Sequence, residues 1–238
     1  MKNKFFFLPI ALPFFVLLVF LPFLLLAIVT LVGFNAGSAV EKVLGMSILV
    51  ATGVYMLMLF GSIVNIPVYE FKSKAETEPR YVSYMGMKYQ LPVWQGHNSV
   101  VAVNAGGFLI PVVLSVYFAM SLQLYPLILT TIVVSLGVFA SSRPVRSAGV
   151  IVPSLVPPLL AIAASFLALY LYSGGEFHDL ARMSFASGTI GTILGTYLFN
   201  VRRISKAGVN ILSIGGIGTF DGILLTGVLS TVIAVLLA

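Results

Sequence analysis

The run Val150-Ile-Val-Pro153-Ser-Leu-Val-Pro157-Pro158-Leu-Leu-Ala-Ile-Ala-Ala-Ser-Phe-Leu-Ala-Leu-Tyr-Leu-Tyr172 carries no charged residue. A helix needs about 20 apolar residues to cross roughly 30 Å of hydrocarbon, and this run is long enough. Six further runs resemble it: Phe5 to Phe34, Val43 to Val68, Val100 to Met120, Pro126 to Ala140, Met183 to Phe199 and Ala207 to Ala238. They predict an all-α polytopic membrane protein of about seven transmembrane helices, with residues 1–238 as a single transmembrane domain. The first run follows Lys2 and Lys4 but far exceeds the roughly 7 to 15 apolar residues of a signal peptide, so it is expected to be a retained anchor.

Composition points the same way. Of 238 residues, 59% are hydrophobic and 8% charged, which excludes soluble enzymes and nucleic-acid-binding modules as function classes. The mean hydropathy of +1.09 implies a surface facing lipid, so the bilayer is the first expected partner. Zero cysteines exclude disulfides, thiolate zinc sites, iron–sulfur clusters and cysteine nucleophiles. His97 and His178 fall in connections on opposite faces, so no metal and no cofactor is expected.

Alternating the connections places Lys2, Lys4, Lys72, Lys74, Arg80, Lys88, Arg143, Arg146, Arg202, Arg203 and Lys206 on one side and only Lys42 and Arg182 on the other. That partition of 11 against 2 puts the amino terminus inside and the carboxyl terminus outside a plasma membrane. The long connection, residues 69–99, is expected on the cytoplasmic face. Its β-forming flanks, Val68-Tyr69-Glu70-Phe71-Lys72 and Tyr81-Val82-Ser83-Tyr84-Met85, surround a polar center and predict a small hairpin insertion.

Several runs are not uniform. Asn104-Ala105-Gly106-Gly107 and Pro111 lie in the third, and Pro153 and Pro157-Pro158 in the fifth; such breaks belong against protein or a water-filled cavity. Ser187, Gly191 and Gly195 form a small-residue ridge on the sixth run, expected to pack against the seventh. Asp221 is the one carboxylate away from the faces. It follows Ile214-Gly215-Gly216-Ile217-Gly218-Thr219-Phe220, and the 18 residues from Asp221 to Ala238 would span about 27 Å as a helix. The glycine-rich approach therefore reads as an irregular or re-entrant segment. An ionisable group at that depth costs roughly 2.5 to 3.5 kcal/mol, which favors function, although an Asp at a helix start also serves as an N-cap.

The segments Gly216-Ile-Gly-Thr-Phe-Asp221-Gly-Ile-Leu-Leu-Thr-Gly227, Ser187-Gly-Thr-Ile-Gly-Thr-Ile-Leu-Gly195 and Asn104-Ala-Gly-Gly-Phe-Leu-Ile-Pro111 resemble a family of archaeal and bacterial multi-pass membrane proteins known as a domain of unknown function. More distantly, the first resembles the Gly-x-Gly-Asp region of presenilin-type intramembrane aspartyl proteases, which implies a catalytic role for Asp221. Two residues, Thr219 and Phe220, separate Gly218 from Asp221 where those proteases have none. The resemblance also implies Gly-Ala-Asp-Leu-Leu-Asn in the sixth span, where this chain has Gly195-Thr196-Tyr197-Leu198-Phe199-Asn200. The second aspartate of a dyad is thus missing, and a dyad would have to recruit Glu70, at the end of the second span, or a second protomer.

The expected function is a transporter- or channel-like protein whose acidic site at Asp221 binds a proton, a small cation or a membrane-embedded ligand or peptide. Asn104, Gly216, Gly218, Thr219 and Glu70 are the candidate residues of the ligand or ion path. The alternatives are a protease-like protein, inactive if the dyad is incomplete, and a structural or assembly subunit. The oligomeric state is not read from the sequence.

Overall fold

A computed structural model describes residues 6–7, 16, 19–20, 23–24, 27, 36–72, 81–84, 87–90, 98–145, 149–206, 211–216 and 220–237. A two-residue strand β1 (Phe6–Phe7) precedes helices α1 (Ala36–Leu44) and α2 (Ile48–Gly61) and strand β2 (Val64–Lys72). Strands β3 (Tyr81–Tyr84) and β4 (Met87–Gln90) form a hairpin. Then β5 (Asn98–Asn104) passes through a π-helical turn, Ala105–Leu109, into α3 (Ile110–Ala119) and α4 (Leu124–Ser141). A short pair, β6 (Arg143–Val145) and β7 (Gly149–Ile151), leads to α5 (Val156–Tyr172) and α6 (Leu180–Ile193), which continues into a second π-turn, Leu194–Leu198. Helix α7 (Val201–Lys206), strand β8 (Ile211–Ile214) and helix α8 (Phe220–Leu237) follow. The described chain is mostly helical with a small sheet. Most of the expected first span lies outside the described residues, except that Phe6 and Phe7 pair with Val64 and Asn65 as a strand.

The apolar runs are not the uninterrupted helices that hydropathy predicts. Parts of four expected spans, Phe6 to Phe7, Val64 to Val68, Val100 to Asn104 and Ile211 to Ile214, are strands of one sheet in the order β1-β2-β5-β8. In that sheet β5 is antiparallel to β2 and parallel to β8. Short runs rich in Val and Ile suit a pleated strand, and apolar periodicity cannot separate them from a buried helix. The two flanks of residues 69–99 are strands as expected but do not pair with each other. β2 takes β5, the run assigned to a helix, and β3 pairs with β4.

The prolines also act differently from the expectation. Pro126 and Pro157-Pro158 occupy first turns of α4 and α5, where the backbone N–H has no intrahelical acceptor in any case. Pro111 lies inside the continuous helical stretch Ala105–Ala119, where the π-turn passes into α3.

Helix α6 is the center of the helical layer, packed on by α3, α4, α5 and α8. Its small residues serve different neighbours from those expected. Gly191 and Gly195 face α4, where an added Cβ would lie 2.8 Å from the Val134 side chain and 2.9 Å from that of Val138. Gly188, one residue past Ser187, faces Thr226 of α8. At 3.6 residues per turn one ridge reaches one neighbour, and the adjacent position belongs to the next.

The layer has two different ends. At one, Asn200 donates to Ser142, the Arg203 guanidinium covers the Phe139 ring at 4.8 Å, and the sheet gathers the strand ends. At the other, Phe166 stacks on Phe177, and Arg182 pairs with Asp179 at 2.5 Å and donates to Ser121. Between them the helices expose apolar side chains, among them Val113, Leu124, Ile132, Leu159, Leu167 and Tyr170, while Ser115, Thr130, Ser165, Ser187 and Thr226 are buried. Among the described helices α4 alone has the length and composition to cross a bilayer. α1 and α2 reach it only jointly and bend by 72° around Gly45, whose φ is +69°; Ala105–Ala119, α5 and Gly222–Leu237 are shorter apolar helices.

The end of α2 and the first π-turn meet backbone to backbone. A Cβ on Gly106 would overlap the Met58 carbonyl oxygen and the Ser62 amide nitrogen. Gly106→Ala is expected to lower the melting temperature of the purified protein by an amount matching about 1–3 kcal/mol or more of overpacking. Gly53→Ala, which meets nothing within 4 Å, should leave it unchanged or raise it. Differential scanning fluorimetry of the two variants checks this.

Candidate functional site

Strands β2, β5 and β8 end at a common level, because Asn65 pairs with Asn104 and Val103 with Ile214. Strand ends buried against helices leave backbone groups that need partners. Two buried asparagines supply them. Asn104 caps the first π-turn: its Oδ1 accepts the Gly107 N–H at 2.7 Å, and its Nδ2 donates to Ser62 O at 2.6 Å and Asn65 Oδ1 at 3.1 Å. Ser213 Oγ donates to the same Asn65 oxygen. From the second π-turn, the Tyr197 hydroxyl donates to Ser213 O at 3.0 Å and accepts the Gly215 N–H at 3.0 Å. Gly215 has φ +77°, and a Cβ there would sit 2.5 Å from the Gly107 carbonyl carbon, so this close approach requires glycine. Asn65 Nδ2, fully buried, is left without a hydrogen-bond partner.

A second polar feature runs along α6. Thr189, Thr192 and Thr196 are fully buried, and none of their hydroxyls has a partner. Hydroxyls in apolar helices normally bond back to their own backbone, as Thr130, Thr131, Thr226 and Thr231 do here. Thr189 and Thr192 of α6 and Thr196 of the π-turn that continues it do not, and neither does Ser184, which lies about 140° around the helix from Thr189. At about 100° per residue the three threonines fall within about 40° of Phe185, which faces Phe118 of α3 and Gly227 of α8.

The structure brings together some of the residues singled out from the sequence. Asn104 is at the center of the polar junction, and Gly216 adjoins it, donating to Ser213 O at 3.2 Å. Gly218 and Thr219 lie outside the described residues. The backbone of Asp221 is in the first turn of α8, and its side chain is outside the described part. The next residue, Gly222, lies against Pro157 and Ser154, so the start of α8 abuts the start of α5. Glu70 is not part of the junction. It is exposed, pairs with Val100 and sits toward the far end of the ladder from Asn65. His178 lies 3.3 Å from Glu176 at the opposite end of the layer, and His97 is outside the described residues. No group of three metal-ligating side chains occurs among the described residues.

Asn65, Tyr197 and Ser213 were not singled out from the sequence, since strand pairing across long separations brings them together. The threonine row is legible in the sequence as i, i+3, i+7, beside the glycine edge of the same helix. Tyr197 stands where the family resemblance implies an aspartate, and its hydroxyl is committed to the β8 end.

The described chain is a helical layer, closed at one end by a mixed sheet, with a buried asparagine–tyrosine junction where the two meet. A model of the DUF1614 family, proteins of unknown function, matches residues 59–233, and the chain belongs to that family. The match takes in the junction, all of α6 and Asp221. No curated protein and no solved structure matches it.

Tyr197→Phe removes a donor and an acceptor while keeping the ring, and leaves Ser213 O and Gly215 N without that partner. The expected loss is about 1–3 kcal/mol of stability, read as a lower midpoint in thermal denaturation. An unchanged midpoint would show that the junction does not depend on this hydroxyl.

Proposed function

We propose that this protein is a polytopic integral membrane protein, carrier- or channel-like, that binds a proton or small cation at an acidic site around Asp221. The observation that carries the reading is the inverted distribution of side chains: apolar residues such as Val113, Ile132, Leu159 and Leu167 face outward while serines and threonines fill the interior. Water as solvent disfavors that arrangement, and lipid favors it, because interhelical contacts in a bilayer are made by small and hydroxylated residues. α4 is long enough to cross by itself, and the shorter α3 and α6 are each extended at one end by a π-turn. Irregular backbone at membrane depth is tolerated where protein covers it, as the junction does at Asn104 and Gly215.

The charges support an orientation with the sheet end in the cytoplasm of a cell whose plasma membrane holds the protein. Arg143, Arg202 and Arg203 are exposed there, while at the opposite end Arg182 is paired with Asp179. In this orientation Asp221 begins α8 near the cytoplasmic boundary, approached by glycine-rich backbone, the kind of site broken helices form in carriers.

Two measurements test the reading. The chain has no cysteine of its own, so single cysteines can be labelled in intact cells with an impermeant thiol reagent. Ser38→Cys and His178→Cys are expected to react from outside and Val201→Cys is not; the reverse pattern would overturn the orientation. In proteoliposomes under an imposed proton, sodium or potassium gradient, the wild type is expected to show flux that Asp221→Asn reduces to background at unchanged melting temperature. Wild-type flux equal to empty vesicles under all three gradients removes the carrier reading.

A further inference from the structure

The threonine row of α6 has a dimension that selects its ligand. Thr189, Thr192 and Thr196 are separated along the helix axis by about 4.5 Å and about 6 Å. One water accepting from one hydroxyl and donating to the next spans about 5.6 Å. Each hydroxyl is both donor and acceptor, so three of them with intervening waters make a continuous hydrogen-bonded chain. A dehydrated cation is poorly served: hard cations take six or more oxygen ligands, whereas this face offers three hydroxyls beside the apolar side chains of Phe185 and Ile193.

The surroundings set where such a chain starts and stops. Thr196 lies in the second π-turn, next to Tyr197, whose hydroxyl meets Gly215 and Ser213 at the sheet end. Four residues before Thr189, the ring of Phe185 packs edge-to-face on Phe118 at 5.7 Å and against Gly227. α3 and α8 both pack on α6, and helical periodicity puts the row within about 40° of Phe185, which meets both. The row is hydroxylic from the second π-turn to Thr189, and beyond it comes the aromatic pair, which lines an apolar cavity with Tyr55, Met58 and Leu224.

We propose that Thr189, Thr192 and Thr196 hold a file of internal water that passes protons between the sheet end and the middle of the helical layer, with Phe118 and Phe185 as its dry terminus. This rests on the carrier reading above and names its transported species as the proton.

The test uses the absence of other thiols. In purified full-length Thr192→Cys the single cysteine gives the only S–H stretching band in the infrared spectrum. On transfer to deuterium oxide that band is expected to convert promptly to S–D, as a thiol touching exchangeable water does. The control is Val134→Cys, equally buried but packed on Gly191 on the α4 side, which should keep its S–H band far longer. If the two exchange equally slowly, the water file is refuted, whether or not the protein shows flux. Prompt exchange at residue 192 with no proton flux in the wild type keeps the file and removes the carrier reading. Should Thr192→Cys not fold, the pair Thr192→Ser and Thr192→Val decides by melting temperature. A water-bound hydroxyl predicts that Val does not exceed the wild type, and a Val variant more stable than both Ser and wild type refutes the proposal, because it shows the hydroxyl had no partner to lose.

Discussion

A backbone amide or carbonyl that ends inside an apolar layer must find a partner there, and this requirement organizes the molecule. Three strands end at the level of Asn65, Asn104 and Ile214, where helices take over. Asn104 alone addresses the Ser62 carbonyl, the Gly107 N–H and the Asn65 side-chain oxygen, and Tyr197 addresses the Ser213 carbonyl and the Gly215 N–H. Without such partners each group would cost far more than a hydrogen bond normally contributes. The two π-turns follow from the same demand. Each inserts a residue beside a glycine, letting the backbone come near enough for these side chains to reach.

The same rule makes the α6 threonines conspicuous. Elsewhere in the layer, hydroxyls bond to carbonyls three or four residues back, which is the cheapest solution in an apolar helix. On α6, Gly188, Gly191 and Gly195 bring α8 and α4 in closely on two sides, while the hydroxyls occupy a third. One helix thus combines tight packing with an unsatisfied polar face, and both face the interior.

Hydropathy and residue type were enough to predict a mostly helical chain with a strand-forming insertion, and they marked Asn104 and the glycines before Asp221 as breaks in regular structure. They read these from composition within short windows: glycine, asparagine and proline are informative because each changes what the local backbone can do. Pro157-Pro158 were marked as a break inside a helical run but stand in the first turn of α5, since a sequence does not say where within an apolar run the first turn falls.

What the sequence determined by itself is the set of apolar runs, the low charge of the chain and the isolation of Asp221 among apolar residues; all are properties of the linear order. What only the tertiary structure decided is which parts of those runs are strands, that β2 pairs with β5 and β5 with β8, and that Asn65, Tyr197 and Ser213 share one junction. The physical reason is that an apolar run satisfies its backbone equally well as a helix, alone, or as a strand, with a partner. The partner of Val100 to Val103 is Ile211 to Ile214, more than a hundred residues away, beyond the reach of any local pattern.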